Sequence, residues 1–142
     1  MKRQERFKDT LYFTYYNANP KNRLTGDCVV RALSLFLDKD YYTVYKELYD
    51  TSLKTGEMLN EKRNYERYLK EQGIVKQKQP RQSDNTKYTG KEFIREIAED
   101  NKRYFCKIGT HHVTAIKDRR IYDTWDCTSK AVGNYWVINE RG

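Results

Sequence analysis

The sequence predicts an α+β domain in which helices come first, an antiparallel sheet follows, and a cysteine-bearing helix packs on that sheet. Three observations carry this expectation. In residues 28–38 the apolar side chains Val29, Ala32, Leu33 and Phe36 fall at i, i+3, i+4 and i+7. Val30, Leu35 and Leu37 widen that surface until only Arg31, Ser34 and Asp38 keep a polar edge. Residues 40–100 repeat the helical period three more times, each time bounded by a capping or breaking signal. Beyond residue 102, short runs of β-branched and aromatic residues alternate with turn-like stretches.

Taken in order, residues 1–21 read as a basic and aromatic arm ahead of a domain over 22–142. Residues 1–10 form a charged leader. Residues 11–16 (LYFTYY) suit a short strand or an extended arm, closed by the turn Asn17-Ala18-Asn19-Pro20. The central helix starts behind Thr25-Gly26-Asp27, where either Asp27 or Thr25 can accept from its first free N–H groups. Asp40 caps a second helix through about residue 53, with Tyr41, Val44, Tyr45 and Leu48 inward and Gly56 as its stop. A third, from about residue 60 to 72, carries Tyr65, Tyr68 and Leu69 on one side and ends at Gly73.

Composition shifts over residues 74–88, which are polar, basic and interrupted by Pro80. They read as a short strand feeding a mobile loop, of a length that suits a lid or binding loop as well as an ordinary surface connection. Thr89 opens a fourth helix with Phe93, Ile94 and Ile97 as its apolar side, closing near Asp100-Asn101. Strands are expected at 103–108, 111–117, 120–125 and 134–138 as an antiparallel meander. Asp118-Arg119 is a tight hairpin connection, so the second and third of these are neighbours.

At 142 residues the chain fits one domain that buries about two thirds of its unfolded surface. No stretch approaches the ~18 apolar residues of a membrane span, and the amino end lacks the apolar run of a secretory signal. A cytoplasmic protein is expected. Three cysteines, Cys28, Cys106 and Cys127, are too few and too scattered for a disulfide scaffold, so reduced thiols are expected. Lys and Arg exceed Asp and Glu by 28 to 20, giving a net charge of +8 whose field favours acidic partners. Thirteen tyrosines add contact area with polar tips.

Cys28 stands in the first turn of the central helix. There the positive end of the macrodipole and unpaired N–H groups favour the thiolate, which is how a cysteine nucleophile is commonly mounted; the same position also suits a small buried thiol. The chain has only two histidines. Strand alternation puts His111 with Val113 and Ala115 and His112 with Thr114 and Ile116, so only one of them faces the cysteine helix. Asp123, eleven residues past His112 on the partner strand, can hold an imidazole by its second nitrogen. Asp126 is a rival, but alternation points it to the opposite face. Cys127 reads as a packed thiol. Zinc ligation by Cys28, Cys106, Cys127, His111 and His112 is disfavoured because no C-x-x-C or H-x-x-x-H pair exists, and no cofactor is called for.

These residues resemble a known family. Cys28 opening a central helix in G-D-C-V-V-R-A-L, a histidine opening H-V-T-A-I, and D-T-W on the following strand are similar to the papain-like cysteine peptidase superfamily. Small papain-like proteins of bacteria and their phages share the pairing more closely. The resemblance spans about residues 22–53 and 93–137. It implies a papain-like fold with Cys28 as nucleophile, His112 as base, Asp123 as orienting residue and Trp125 as shielding indole. His111 would be a structural or substrate-side residue. The oxyanion-hole amide of the family falls at Asn22, which donates from a shorter side chain, with the Cys28 backbone N–H as the other donor.

The expected function is a cysteine-dependent hydrolase, a peptidase or amidase working on a protein or peptide through an acyl-enzyme. A transglutaminase or acyltransferase would use the same residues. A different class of reading is an inactive papain-like binding module, whose basic middle loop and tyrosines hold nucleic acid or an acidic protein, although the lysines and arginines of residues 62–81 read most simply as a solvated surface.

Overall fold

The computed structural model describes residues 7–140; residues 1–6, most of the expected charged leader, and 141–142 lie outside the described residues. Over the described residues the protein is an α+β fold of four helices and one five-stranded mixed sheet. Its elements are β1 (Phe13–Tyr15), α1 (Cys28–Leu37), α2 (Tyr41–Thr55), α3 (Lys62–Glu71), α4 (Gly90–Glu96), β2 (Lys102–Ile108), β3 (His112–Lys117), β4 (Arg120–Asp123) and β5 (Val132–Asn139).

Local chemistry accounts for most boundaries. Asp40 accepts from the N–H groups of Tyr42 and Thr43, and Gly56 closes α2 in the left-handed conformation at φ 74°. Thr89 and Glu92 form a reciprocal capping box at α4. In the β3–β4 hairpin both Asp118 and Arg119 have positive φ, as a primed two-residue turn requires. A non-glycine pair costs energy there. Arg119 offsets part of it by donating to the carbonyls of Ile94 and Arg95 at the end of α4.

The sheet departs from the expected all-antiparallel meander in two places. Strands β2, β3 and β4 form the meander, but β5 returns to the far side of β2, and β1 adds parallel to β4. The cause at β1 is burial: Phe13 has no exposed surface and packs with Phe93, Ile116 and Ile121, while the Arg120 guanidinium holds Thr14 Oγ1 and the carbonyls of Thr10, Leu11 and Phe13. Residues 124–131 are long enough to carry the chain across to β2. One further inward expectation fails: Tyr45 is about half exposed, because the buried stripe of α2 runs through Tyr41, Val44, Leu48 and Thr51.

Each sheet face has its own core. On one, Phe105, Val113, Ala115 and Trp136 pack against α1, α2 and α3; on the other, Tyr104, Cys106, Ile108, Ile116 and Val132 pack against α4 and Phe13. Asn64 is fully buried between α2 and α3, donating to the carbonyls of Leu48 and Leu59 and accepting from Thr55 Oγ1. Every one of its donors is paired, so it fixes the turn that ends at Asn60 and Glu61. Residues 74–88 lie along the open edge of β5, tied by the Gln77–Tyr135 bridge and by Gln79 to the Val132 carbonyl. Among the described residues no helix is long and apolar enough to cross a membrane.

The placement of β1 is testable by urea unfolding. Phe13→Ala is expected to destabilise the protein by about 3–5 kcal/mol, whereas Leu11→Ala, at a side chain 72 % exposed, is expected to stay within about 0.5 kcal/mol. Equal effects would mean that β1 is not part of the core.

Candidate active site

Three chain ends meet at one end of the sheet: the start of α1 at Cys28, the start of β3 at His112 and the end of β4 at Asp123. Because β3 and β4 run antiparallel, the first residue of one lies near the last of the other. His112 Nε2 contacts Asp123 Oδ2 at 2.6 Å, which leaves Nδ1 for the sulfur. His112 shares its side of the strand with Thr114, away from the face that packs on α1, and still meets Cys28 because both stand at the rim of the sheet.

Asp123 is almost completely buried and collects five donors. Its Oδ2 accepts from His112 and from Thr114 Oγ1 at 2.7 Å, and the Cys127 thiol stands 4.0 Å away. Its Oδ1 accepts from Arg31 Nη1 at 2.8 Å and from the Thr124 N–H at 2.7 Å. Burial opposes the charge, but His112, Arg31 and Thr114 outweigh it and hold the carboxyl below the usual carboxylate range. The indole of Trp125 lies 5.0 Å from the imidazole, centroid to centroid, tilted at 58°. Both rings line the same cavity.

The His112 imidazole is driven the other way. Burial disfavours its charge, yet the Asp123 hydrogen bond, the Cys28 contact and both negative charges lift its pKa to about 9. For Cys28, burial would raise the pKa, and the His112 interaction, the Val113 N–H and the Arg31 charge together bring it below the ordinary thiol value. The thiol and the imidazole thus interact directly, each shifting the other in the opposite sense. The other two cysteines differ. Burial pushes Cys106 up to about 12 and Cys127 well above the ordinary value. All three thiols are free.

Arg31, one turn after Cys28, is the residue that sequence reasoning placed only on a polar edge. It is buried, with Nε on Asp27 Oδ1 and Nη1 on Asp123 Oδ1, each at 2.8 Å. Asp27 also accepts from Tyr41 Oη at 2.7 Å and from Asn19 Nδ2 at 3.0 Å. So occupied, the Asp27 side chain makes no capping bond to α1, although it stands at the N-cap position. The first-turn N–H groups at Cys28 are therefore left without a side-chain acceptor. An i, i+4 Asp-Arg pair flanking the cysteine was the available signal, but its reach to residue 123 was not legible from spacing.

Two cavities share Cys28 and His112. One, about 460 Å³, is also lined by Leu24, Thr25, Gly26, Arg31, Thr124 and Trp125. The other, about 260 Å³, has Asn60, Lys62, Tyr65, Lys107 and Thr110 among its walls, with His111 on its rim. Asn22 is exposed, in the left-handed conformation at φ 52°, and lines neither cavity. Residues 74–88 line neither one.

His112, Asp123 and Cys127 offer one donor atom each within 4.8 Å of one another. The donor set fits a metal ion poorly: Asp123 is saturated by its five donors, and Cys127 holds its proton, whereas metal binding needs a thiolate. Comparison with family models, with curated proteins and with solved structures found no match.

Two outcomes check this electrostatic arrangement. At pH 6 iodoacetamide is expected to label Cys28 while Cys106 and Cys127 stay unmodified in the folded protein; equal labelling of the three would refute it. Arg31→Met leaves Asp27 and Asp123 uncompensated and is expected to cost about 3–5 kcal/mol in urea unfolding, with partial recovery in Arg31→Lys.

Proposed function

We propose that the protein is a papain-like cysteine hydrolase, a peptidase or amidase, in which Cys28 attacks a carbonyl, His112 moves the proton and Asp123 orients His112. What carries this reading is the pairing of opposite shifts: a thiol made more acidic and an imidazole made more basic, in contact with each other. Between the two pKa values the pair exists as thiolate and imidazolium, a nucleophile ready beside its acid.

The steps follow from the donors around the sulfur. Thiolate attack forms a C–S bond and moves the carbonyl electrons to oxygen. The Cys28 backbone N–H, at the uncapped start of α1, donates to that oxyanion. The imidazolium gives its Nδ1 proton to the leaving amine as the C–N bond breaks. Water, deprotonated by the same nitrogen, then releases the acyl group. Asp123 keeps its charge throughout because Arg31 and Thr114 share it. Trp125 packs beside the imidazole and limits its movement. An amine entering in place of water would make the reaction an acyl transfer on the same thioester.

Labelling by an acyl-trapping electrophile such as a peptidyl vinyl sulfone tests the reading without a known substrate. Wild type is expected to be labelled at Cys28, Cys28→Ala not at all, and His112→Ala at least about 10²-fold more slowly. Labelling of His112→Ala at the wild-type rate would refute it. With any substrate found, kcat/KM is expected to be bell-shaped. It falls on the acid side as the thiolate is protonated, below the ordinary thiol range, and on the alkaline side near pH 9 as His112 loses its proton.

A further inference from the structure

The smaller cavity beside Cys28 is lined by two lysines, Lys62 and Lys107. Lys62 is the first residue of α3, between Glu61 at the N-cap and Arg63, and the first turn of that helix itself contains no acidic residue. Cations there oppose the helix macrodipole. Arg63 pairs with Glu57, but Lys62 has no ion-pair partner among the described residues. Lys107 sits where the β2–β5 register shifts between Cys106 and Ile108, an irregularity of the kind that re-aims a side chain. Opposite it is Gly133, where an added Cβ would come within 3.3 Å of Lys107 Cβ. Lys107 likewise has no ion-pair partner among the described residues. Glu61 is the one carboxylate in the lining, against Lys62 and Lys107, while the His112 imidazolium is balanced by the Cys28 thiolate beside it.

Lys62, exposed at the start of α3, and Lys107, half-buried on β2, both line the cavity that holds the nucleophile without an ion-pair partner among the described residues, and this marks a specificity feature. We propose that this cavity receives a carboxylate side chain of the substrate, held by Lys62 and Lys107, so that the protein acts on acidic peptides with Asp or Glu beside the reacting carbonyl. The size agrees: about 260 Å³ lies below the range of drug-sized pockets and suits a single side chain. Thr110 and Asn60 on the same walls supply neutral hydrogen-bonding groups, and the net charge of +8 draws acidic chains toward the molecule. The inference rests on the acyl-chemistry reading of Cys28 for its substrate, but the charge of the cavity is measurable apart from it.

Iodoacetate and iodoacetamide alkylate the same sulfur and differ in charge, so the ratio of their rate constants at Cys28 reports the field in the cavity. In the wild-type protein at low salt the ratio is expected to exceed that of a free thiol. In Lys62→Gln/Lys107→Gln it is expected to fall about three- to tenfold, the size of one or two screened charge interactions. The single variants, expected to lose about half of that effect each on a logarithmic scale, answer the question should the double variant not fold. His112 and the α1 start attract anions in every form, so only the change on removing the lysines counts. An unchanged ratio in the variants overturns the proposal. A Cys28 no faster than a free thiol with iodoacetamide would count instead against the catalytic reading, and the ratio would still decide the cavity. With peptide vinyl sulfones, a wild-type preference for Glu over Gln beside the electrophile that vanishes in the double variant supports the proposal. The same preference retained overturns it.

Discussion

The carboxylate of Asp123 is the point on which the site depends. It is buried, ionised and surrounded by donors from four different parts of the chain: Arg31 from α1, His112 and Thr114 from β3, the Thr124 N–H at its own strand end, and Cys127 beyond it. A buried charge is tolerable only when such partners replace water. Each partner is thereby fixed in turn. The imidazole is held by Nε2 and presents Nδ1, and Arg31 is stretched between Asp123 and Asp27. Removing the central charge would strand a guanidinium and an imidazole at once.

Arg31 passes this constraint to the helix that carries Cys28. By drawing Asp27 into an ion pair it diverts the side chain that would otherwise cap α1, and the helix keeps unpaired N–H groups at Cys28. A capping bond is worth about 1 kcal/mol. Here that contribution is given up at the start of α1, and the network of Asp27 with Arg31, Tyr41 and Asn19 offsets the loss. Stability and a positive pole at the thiol come from the same set of contacts.

The helices and their capping at Asp40 and Thr89 were readable because they depend on neighbours three or four residues apart. So was the Asp118-Arg119 hairpin, although the left-handed Arg119 is sustained by α4 carbonyls that no local pattern contains. The strand at residues 13–15 stayed ambiguous, because an aromatic hexamer has no local reason to choose between arm and strand until Phe13 finds a core. Asn22 stood where family spacing puts an oxyanion donor, but a left-handed residue in an exposed loop does not carry its amide to the cavity. Lys62 and Lys107 were invisible as a pair: one belongs to a run of surface charge, the other to a strand, and only the convergence of α3 and β2 brings them to a common wall.

By itself the sequence determined the α+β class, the cysteine at the opening of the most apolar helix and the candidacy of residues 112 and 123, since period, capping and order along the chain are local properties. The tertiary structure alone decided that the sheet is mixed, that His112 reaches Cys28 around the sheet's rim, and that Arg31 binds the far carboxylate. Those outcomes depend on which buried charges and aromatic rings find partners far along the chain, ninety-two residues apart for Arg31 and Asp123, and burial is a property of the whole fold.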